Sequence, residues 1–157
     1  MRIQALTGSH DRQGFECGRP ELNDWLAKVA RQHQDKGLSK TFVAVQETAP
    51  AIILGCYALT LTEVDTRALP LTLAKKLPRI IPGVRLGRLA VDRQAQGKRL
   101  GEVLLMDAME RVRAVREQAV AVGLFVDALD AQAAGFYARY GAVAFLDAPL
   151  KLFLPVR

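Results

Sequence analysis

Two stretches of this chain combine residue types that could do chemistry. In Leu86–Gly101, reading LGRLAVDRQAQGKRLG, an apolar strand pattern gives way to a polar, glycine-punctuated turn and then to the start of a helix. Backbone N–H groups at such a start have no intrahelical partner and point outward, so the turn can hold a phosphate. Gln96, Gly97 and Gly101 keep it polar and partly free of side-chain bulk. The second stretch, GFYARYGA, carries Phe136, Tyr137 and Tyr140 on a helical pattern. Helical aromatics usually pack in a core. If this helix follows a strand beside Leu86–Val91, however, Tyr137 could point back toward the phosphate groove. A phenol of reference pKa near 10 can protonate a departing thiolate of pKa near 8.5, which would serve a transfer from a thioester.

Other chemistries have little to work with. Two cysteines, Cys17 and Cys56, cannot make a disulfide framework or a zinc site and are expected to pack as small hydrophobes. His10 and His33 lack ligand-spaced partners, so no metal site is expected. Ser9 and Ser39 lie outside any nucleophile elbow, which sets serine hydrolysis aside.

The elements that must position these residues read as follows. Arg2–Leu6 is a short strand, and Gly8–Gly18 a polar connection. A helix opens at Pro20 or Glu21, carries the stripe Leu22, Trp25, Leu26, Val29 and Ala30, and stops at Gly37. Thr41–Gln46 and Ala51–Thr62 are strands joined by the turn Glu47–Pro50, with a bend near Gly55. Asp65–Leu77 is helical or irregular, and Pro70 opposes one unbroken helix. After the phosphate turn, Leu104, Leu105, Ala108, Val112 and Val115 share one helical face. Glu102, Glu110, Arg111 and Arg113 fall largely on the other. Val120–Leu129 is a buried-type strand; Asp130 caps a helix running to about Tyr140, stopped by Gly141. Val143–Leu146 and Leu150–Leu154 are terminal strands around a turn at Asp147–Pro149. The expected fold is α/β: a central mixed sheet flanked by helices, in one domain over residues 1–157, with splayed strands at Leu86–Val91 and Val120–Leu129.

Length and composition agree. A chain of 157 residues, half hydrophobic and a quarter charged, suits one globular domain. It has neither a membrane-length apolar run nor a signal peptide, so the cytoplasm is expected. The net charge is +6. Arg67, Lys75, Lys76, Arg79, Arg85 and Arg88 fall between Thr66 and Val91, where there is no acid. Such a stretch is either a solvated face or a docking surface for an anionic partner such as nucleic acid.

Gln96, Gly97, Lys98, Arg99, Leu100 and Gly101 resemble motif A of the GNAT acetyltransferase superfamily, Q/R-x-x-G-x-G/A. The resemblance implies that their backbone amides hold the pyrophosphate of acetyl-coenzyme A. It implies that the backbone of Leu89, Ala90 and Val91 pairs with the pantetheine arm, and that Tyr137 is the general acid for the thiolate. Phe15, Cys17, Gly18, Leu22, Trp25 and Leu26, then FVAV, GCYALT and the terminal LFLP, resemble the GNAT toxins of bacterial toxin–antitoxin pairs over nearly the whole chain. That group implies an acceptor, the α-amino group of aminoacyl-tRNA, whose acetylation blocks peptide-bond formation. It implies a ribbon-helix-helix antitoxin as partner, and relatives often form homodimers. Arg79, Arg85 and Arg88 would then contact the tRNA. The acceptor's α-amine has a reference pKa near 7.7–8.0, lowered further by its ester, so a dedicated base is not required.

Two residues depart from the pattern. Arg99 replaces the motif's central glycine, bringing bulk and backbone cost but also a charge for a phosphate. Asp130 stands where many relatives have Asn, seven residues before Tyr137. The residues leave other acceptors open: a protein N-terminus, an antibiotic, or a polyamine, which an acidic acceptor pocket would favour and the basic stretch counts against. A non-catalytic RNA-binding module on the same fold is a further alternative.

Overall fold

The computed structural model describes residues 1–118 and 123–156. Its elements are β1 (Arg2–Ala5), α1 (Pro20–Lys28), α2 (Ala30–Asp35), β2 (Lys40–Val45), β3 (Gly55–Asp65), α3 (Leu71–Ala74), β4 (Ile80–Val91), α4 (Leu100–Gln118), β5 (Gly123–Asp127), α5 (Ala131–Ala138), β6 (Val143–Phe145) and β7 (Ala148–Pro155). Seven strands form one mixed sheet in the order β1-β2-β3-β4-β5-β7-β6. The chain divides into two compact units, Met1–Thr60 with Gly87–Ala108, and Leu61–Leu86 with the residues from Met109 onward; β3, β4 and α4 run through both.

In the first unit β1, β2 and β3 are successively antiparallel, with Ile3 opposite Ala44 and Val43 opposite Cys56. Leu26, Val43, Val45 and Ala30 are wholly buried between this sheet and the first helices. Each large aliphatic side chain so buried contributes about 2 kcal/mol. The helix expected from Pro20 to Gly37 is broken at Val29, which leaves helical geometry at φ −121°. The break strands a last-turn carbonyl, and Arg12 Nη1 donates to it, reaching Ala27 O at 3.0 Å. Gly37, at φ +72°, then closes α2, with Leu38 N–H donating to His33 O at 2.9 Å.

The strand expected from Ala51 begins only at Gly55, and it continues to Asp65. A Cβ at Gly55 would lie 2.9 Å from Leu104 Cδ1 and 3.1 Å from Ala90 O. The glycine thereby lets β3 approach β4 and the start of α4 closely. Leu104, Leu105, Ala108 and Val112 are buried as their spacing requires, but Val115 is 37% exposed, so the buried stripe stops one turn early.

In the second unit β4 and β5 are parallel, Val84 opposite Leu124 and Leu86 opposite Val126, and β4 runs on to Val91. β4 is longer than expected and includes Pro82. Of the strand expected at Val120–Leu129, Val120, Ala121 and Val122 lie outside the described residues, and β5 ends at Asp127. β5 and β7 pair antiparallel, as do β7 and β6, with a bulge between Ala144 and Phe145. The last turn falls at Leu146–Asp147, so Pro149 lies inside β7. Phe125 anchors this unit's core edge-on to Phe153, with ring centroids 4.9 Å apart.

Candidate active site

In the first unit β4 hands the chain to the phosphate turn through Asp92. Its Oδ1 accepts from Gln94 N–H and its Oδ2 from Glu16 N–H, both at 3.0 Å. Asp92 N–H donates to Leu54 O at 2.8 Å. The turn's entrance is therefore fastened on both sides by one Asp, a residue the sequence reading passed over. Its signal was present: an Asx side chain that caps its own chain two residues on.

Gln96 also serves the turn's shape. Its Nε2 donates to Val91 O at 2.9 Å and to Cys17 O at 3.0 Å, so the side chain is committed to protein carbonyls. Gly97 and Arg99 take φ +79° and +63° on either side of Lys98. α4 opens with Val103 N–H donating to Arg99 O at 3.2 Å, which leaves the amides of the preceding turn outside the helical ladder. Lys98 and Arg99 are exposed. Arg99 thus adopts the left-handed backbone that its position demands, at a cost of about 1–2 kcal/mol to a residue with a Cβ.

Upstream on β4, Leu89 and Val91 are half-buried and Ala90 is buried. Arg88 also has positive φ, 58°, in mid-strand. Its carbonyl accepts from Cys56 Sγ at 3.7 Å, and its guanidinium lies over Trp25. Burial pushes the Cys56 thiol up to about 12, so it is packing material rather than a nucleophile. His10, buried and lowered in pKa by that burial, accepts from Thr7 N–H at Nδ1, 3.0 Å away, and holds the N-terminal turn.

In the second unit, Asp130 caps α5 by accepting from Ala133 N–H at 2.8 Å. Gly141, at φ +98°, follows the helix, which ends at Ala138 rather than Tyr140. Tyr137 is the buried residue of α5, 7% exposed, and burial pushes its phenol up to about 12. The side chain therefore stays a protonated donor over the whole physiological range.

The basic stretch is less free than its sequence suggests. Asp65, just before it, takes Arg67 through both carboxylate oxygens at 2.7–3.1 Å and Arg79 at 3.5 Å. The Arg67 hydrogen bonds hold the Asp65 carboxyl well below the usual carboxylate range. Arg85 Nε lies 3.4 Å from Asp127, and its Nη2 is 3.5 Å from Thr62 Oγ1. Lys75 and Lys76 remain exposed.

No protein-family model matches the chain. Individual proteins do. The chain is 32% identical over 149 residues to the tRNA-acetylating toxin of Mycobacterium tuberculosis (strain ATCC 25618 / H37Rv), covering 95% of this chain and 88% of that protein. The structure of AtaT complexed with acetyl-methionyl-tRNAfMet superposes with a TM-score of 0.90 at 34% identity, over 98% of this chain and 94% of that one. A mutant AtaT toxin bound to the C-terminus of the antitoxin AtaR and acetyl-CoA superposes at 0.80 with 31% identity, over 99% and 92%. With likeness of this extent in both sequence and fold, the chain belongs to the tRNA-acetylating toxins, acetyltransferases of the GNAT fold.

Proposed function

We propose that this chain transfers acetyl from acetyl-CoA to the α-amino group of an aminoacyl-tRNA in the cytoplasm, blocking translation, and that a ribbon-helix-helix antitoxin neutralises it. The observation that carries this reading is the turn from Gln96 to Gly101, whose amides lie outside the helical ladder in a chain related along its length to a tRNA-acetylating toxin. No described helix is long and apolar enough to cross a membrane.

The residues fit a nucleotide cofactor bearing a pyrophosphate. Gly97, Lys98, Arg99, Leu100 and Gly101 offer backbone N–H groups and two exposed cations at the positive end of a 19-residue helix. Leu89, Ala90 and Val91 supply strand backbone to an extended arm. Acetyl-CoA supplies an acyl group activated as a thioester. The acceptor's neutral amine forms the new C–N bond as the C–S bond breaks, and the amine's proton leaves to water.

Tyr137 serves the departing sulfur, in a manner its burial sharpens. Burial leaves the phenol a weaker acid than an ordinary thiol, which disfavours full proton transfer to the sulfur. Its role is hydrogen-bond donation to the developing thiolate, with the proton staying mainly on oxygen. Asp130 acts as a helix cap, holding α5 and hence Tyr137.

The test is parallel incubation of the purified chain and labelled acetyl-CoA with charged tRNA, uncharged tRNA, ribosomal proteins and small amines. Label should appear on the aminoacyl group of charged tRNA. Label confined to protein N-termini or polyamines would assign a different acceptor. Absence of stabilisation by saturating acetyl-CoA would support a non-catalytic module instead.

A further inference from the structure

The second unit contains a pocket of about 210 Å³ that no step above uses. Its floor is apolar, built from Val64, Phe125 and Phe145, with the Phe145 ring edge-on to Phe125. Its rim is charged. Asp65 and Asp127 belong to it, but the first is committed to Arg67 and Arg79 and the second to Arg85. Glu63 and Asp147 are exposed on the rim without an ion pair among the described residues, and Lys151 is the remaining cation.

The pocket's placement suits an acceptor. It reaches Asp127, the carboxyl end of β5, where ligands of parallel strands are received. Phe125 and Phe153 are opposite each other in the β5–β7 ladder, so they share one sheet face, whereas Leu124 and Leu154 share the other. Gly141, just after α5, lies against Leu154, which sets α5 and Tyr137 on the face away from Phe125. The pocket and Tyr137 are thus on opposite faces of the β5–β7 pair, so a side chain seated in the pocket leaves the phenol's space free.

We propose that this pocket seats the side chain of the aminoacyl group, and that Glu63 and Asp147 screen it by charge. The proposal rests on the aminoacyl-tRNA reading above and adds a selectivity to it. Side chains with an apolar stem and a neutral or cationic end enter over the Phe125 and Phe145 rings. Aspartyl and glutamyl groups meet two exposed carboxylates of like charge, which disfavours them.

One tRNA body, charged in turn by an acylating ribozyme with glutamine, lysine or glutamate, isolates the side chain from the tRNA's own identity. The expected kcat/KM for the glutamyl form is at least about tenfold below that of the near-isosteric glutaminyl form, with the lysyl form accepted. In the double variant Glu63→Gln/Asp147→Asn the glutamyl-to-glutaminyl ratio should rise about tenfold; a merely structural loss would lower both rates together. Equal use of glutamyl and glutaminyl tRNA, or a ratio unmoved in the variant, would overturn the pocket assignment while leaving the acceptor class standing. If no charged tRNA is acetylated and spermidine is, the acceptor reading falls, and this selectivity with it.

Discussion

The guanidinium of Arg88 lies over the ring of Trp25, 5.3 Å from its centroid, and Arg88 holds φ at 58° in the middle of β4. A strand residue with positive φ bends the backbone locally, and here the bend falls directly before Leu89–Val91, the segment assigned to the cofactor's arm. The stack contributes about 1 kcal/mol, while the left-handed backbone costs about as much. Arg88→Ala removes the stack and keeps the strain; Arg88→Gly removes both. The glycine variant should therefore be about 1 kcal/mol more stable than the alanine variant. Urea unfolding followed by the fluorescence of Trp25, the single tryptophan, checks this. Equal midpoints for the two variants would mean that the strained bend is not maintained.

Arg99 offers the complementary case, a strained residue whose side chain is exposed. Replacing it by glycine should stabilise the free protein by about 1 kcal/mol, raising Tm by about 3 °C at this chain length. The same change deletes a cation from the phosphate turn, so acetyl-CoA affinity should fall by about three- to tenfold. Thermal shift with and without acetyl-CoA reads both effects, which are opposite in sign. A variant that binds the cofactor as tightly as the parent would remove the Arg99 side chain from the phosphate site.

How much of this was legible depended on whether the cause was local. Asp130 as a cap, Gly37 and Gly141 as helix stops, and the burial of Leu104 through Val112 follow from period and backbone preference within a few residues. The positive φ at Arg99 was legible for the same reason, since motif spacing set the backbone whatever residue stood there. The break at Val29 was not, because it depends on Arg12, fifteen residues from Ala27, reaching in to donate a hydrogen bond to the stranded carbonyl. Nor were the partners of Arg79 and Arg85. A run without acids looks uncompensated until the strands bring Asp65 and Asp127 beside it. The pocket on the Phe125 face was invisible too, because its walls come from β3, β4, β5, β6 and β7 together.

Tyr137 is expected to matter to rate and not to folding. Burial is the sole influence that shifts its phenol, so Tyr137→Phe should change stability by less than about 0.5 kcal/mol. Transfer should drop about 10²–10³-fold in kcat, the usual cost of losing one donor to a developing anion. The pH profile follows from the signs. The acceptor amine must be neutral, so the rate rises with pH through the amine's titration and then levels. The working phenol must be protonated, and its raised pKa puts loss of activity near pH 12, beyond the assay range. Initial rates with rapid quenching between pH 6 and 10 should show a rise and a plateau. A fall between pH 9 and 10 that is absent from the Phe variant's residual activity would place the phenol's pKa far lower.

The basic stretch gives a prediction that separates paired from unpaired cations. Arg79 is held by Asp65, and Arg85 by Asp127, whereas Lys75 and Lys76 are exposed on the short segment after α3. A cation already neutralised by a carboxylate releases fewer counterions from RNA when it docks, so it contributes less to the salt dependence of binding. Lys75→Gln/Lys76→Gln should lower the slope of log K against log salt by about 1 to 2 and weaken tRNA binding at low salt. Arg79→Gln should change the slope by clearly less than the double lysine variant does. Asp65→Asn should act in the opposite direction, freeing both Arg67 and Arg79 and steepening the salt dependence. Filter binding of uncharged tRNA from 50 to 200 mM salt measures all three. If Arg79→Gln flattens the slope as much as the double lysine variant does, the ion pair opens on binding, and Asp65 then competes with the RNA for the same guanidinium.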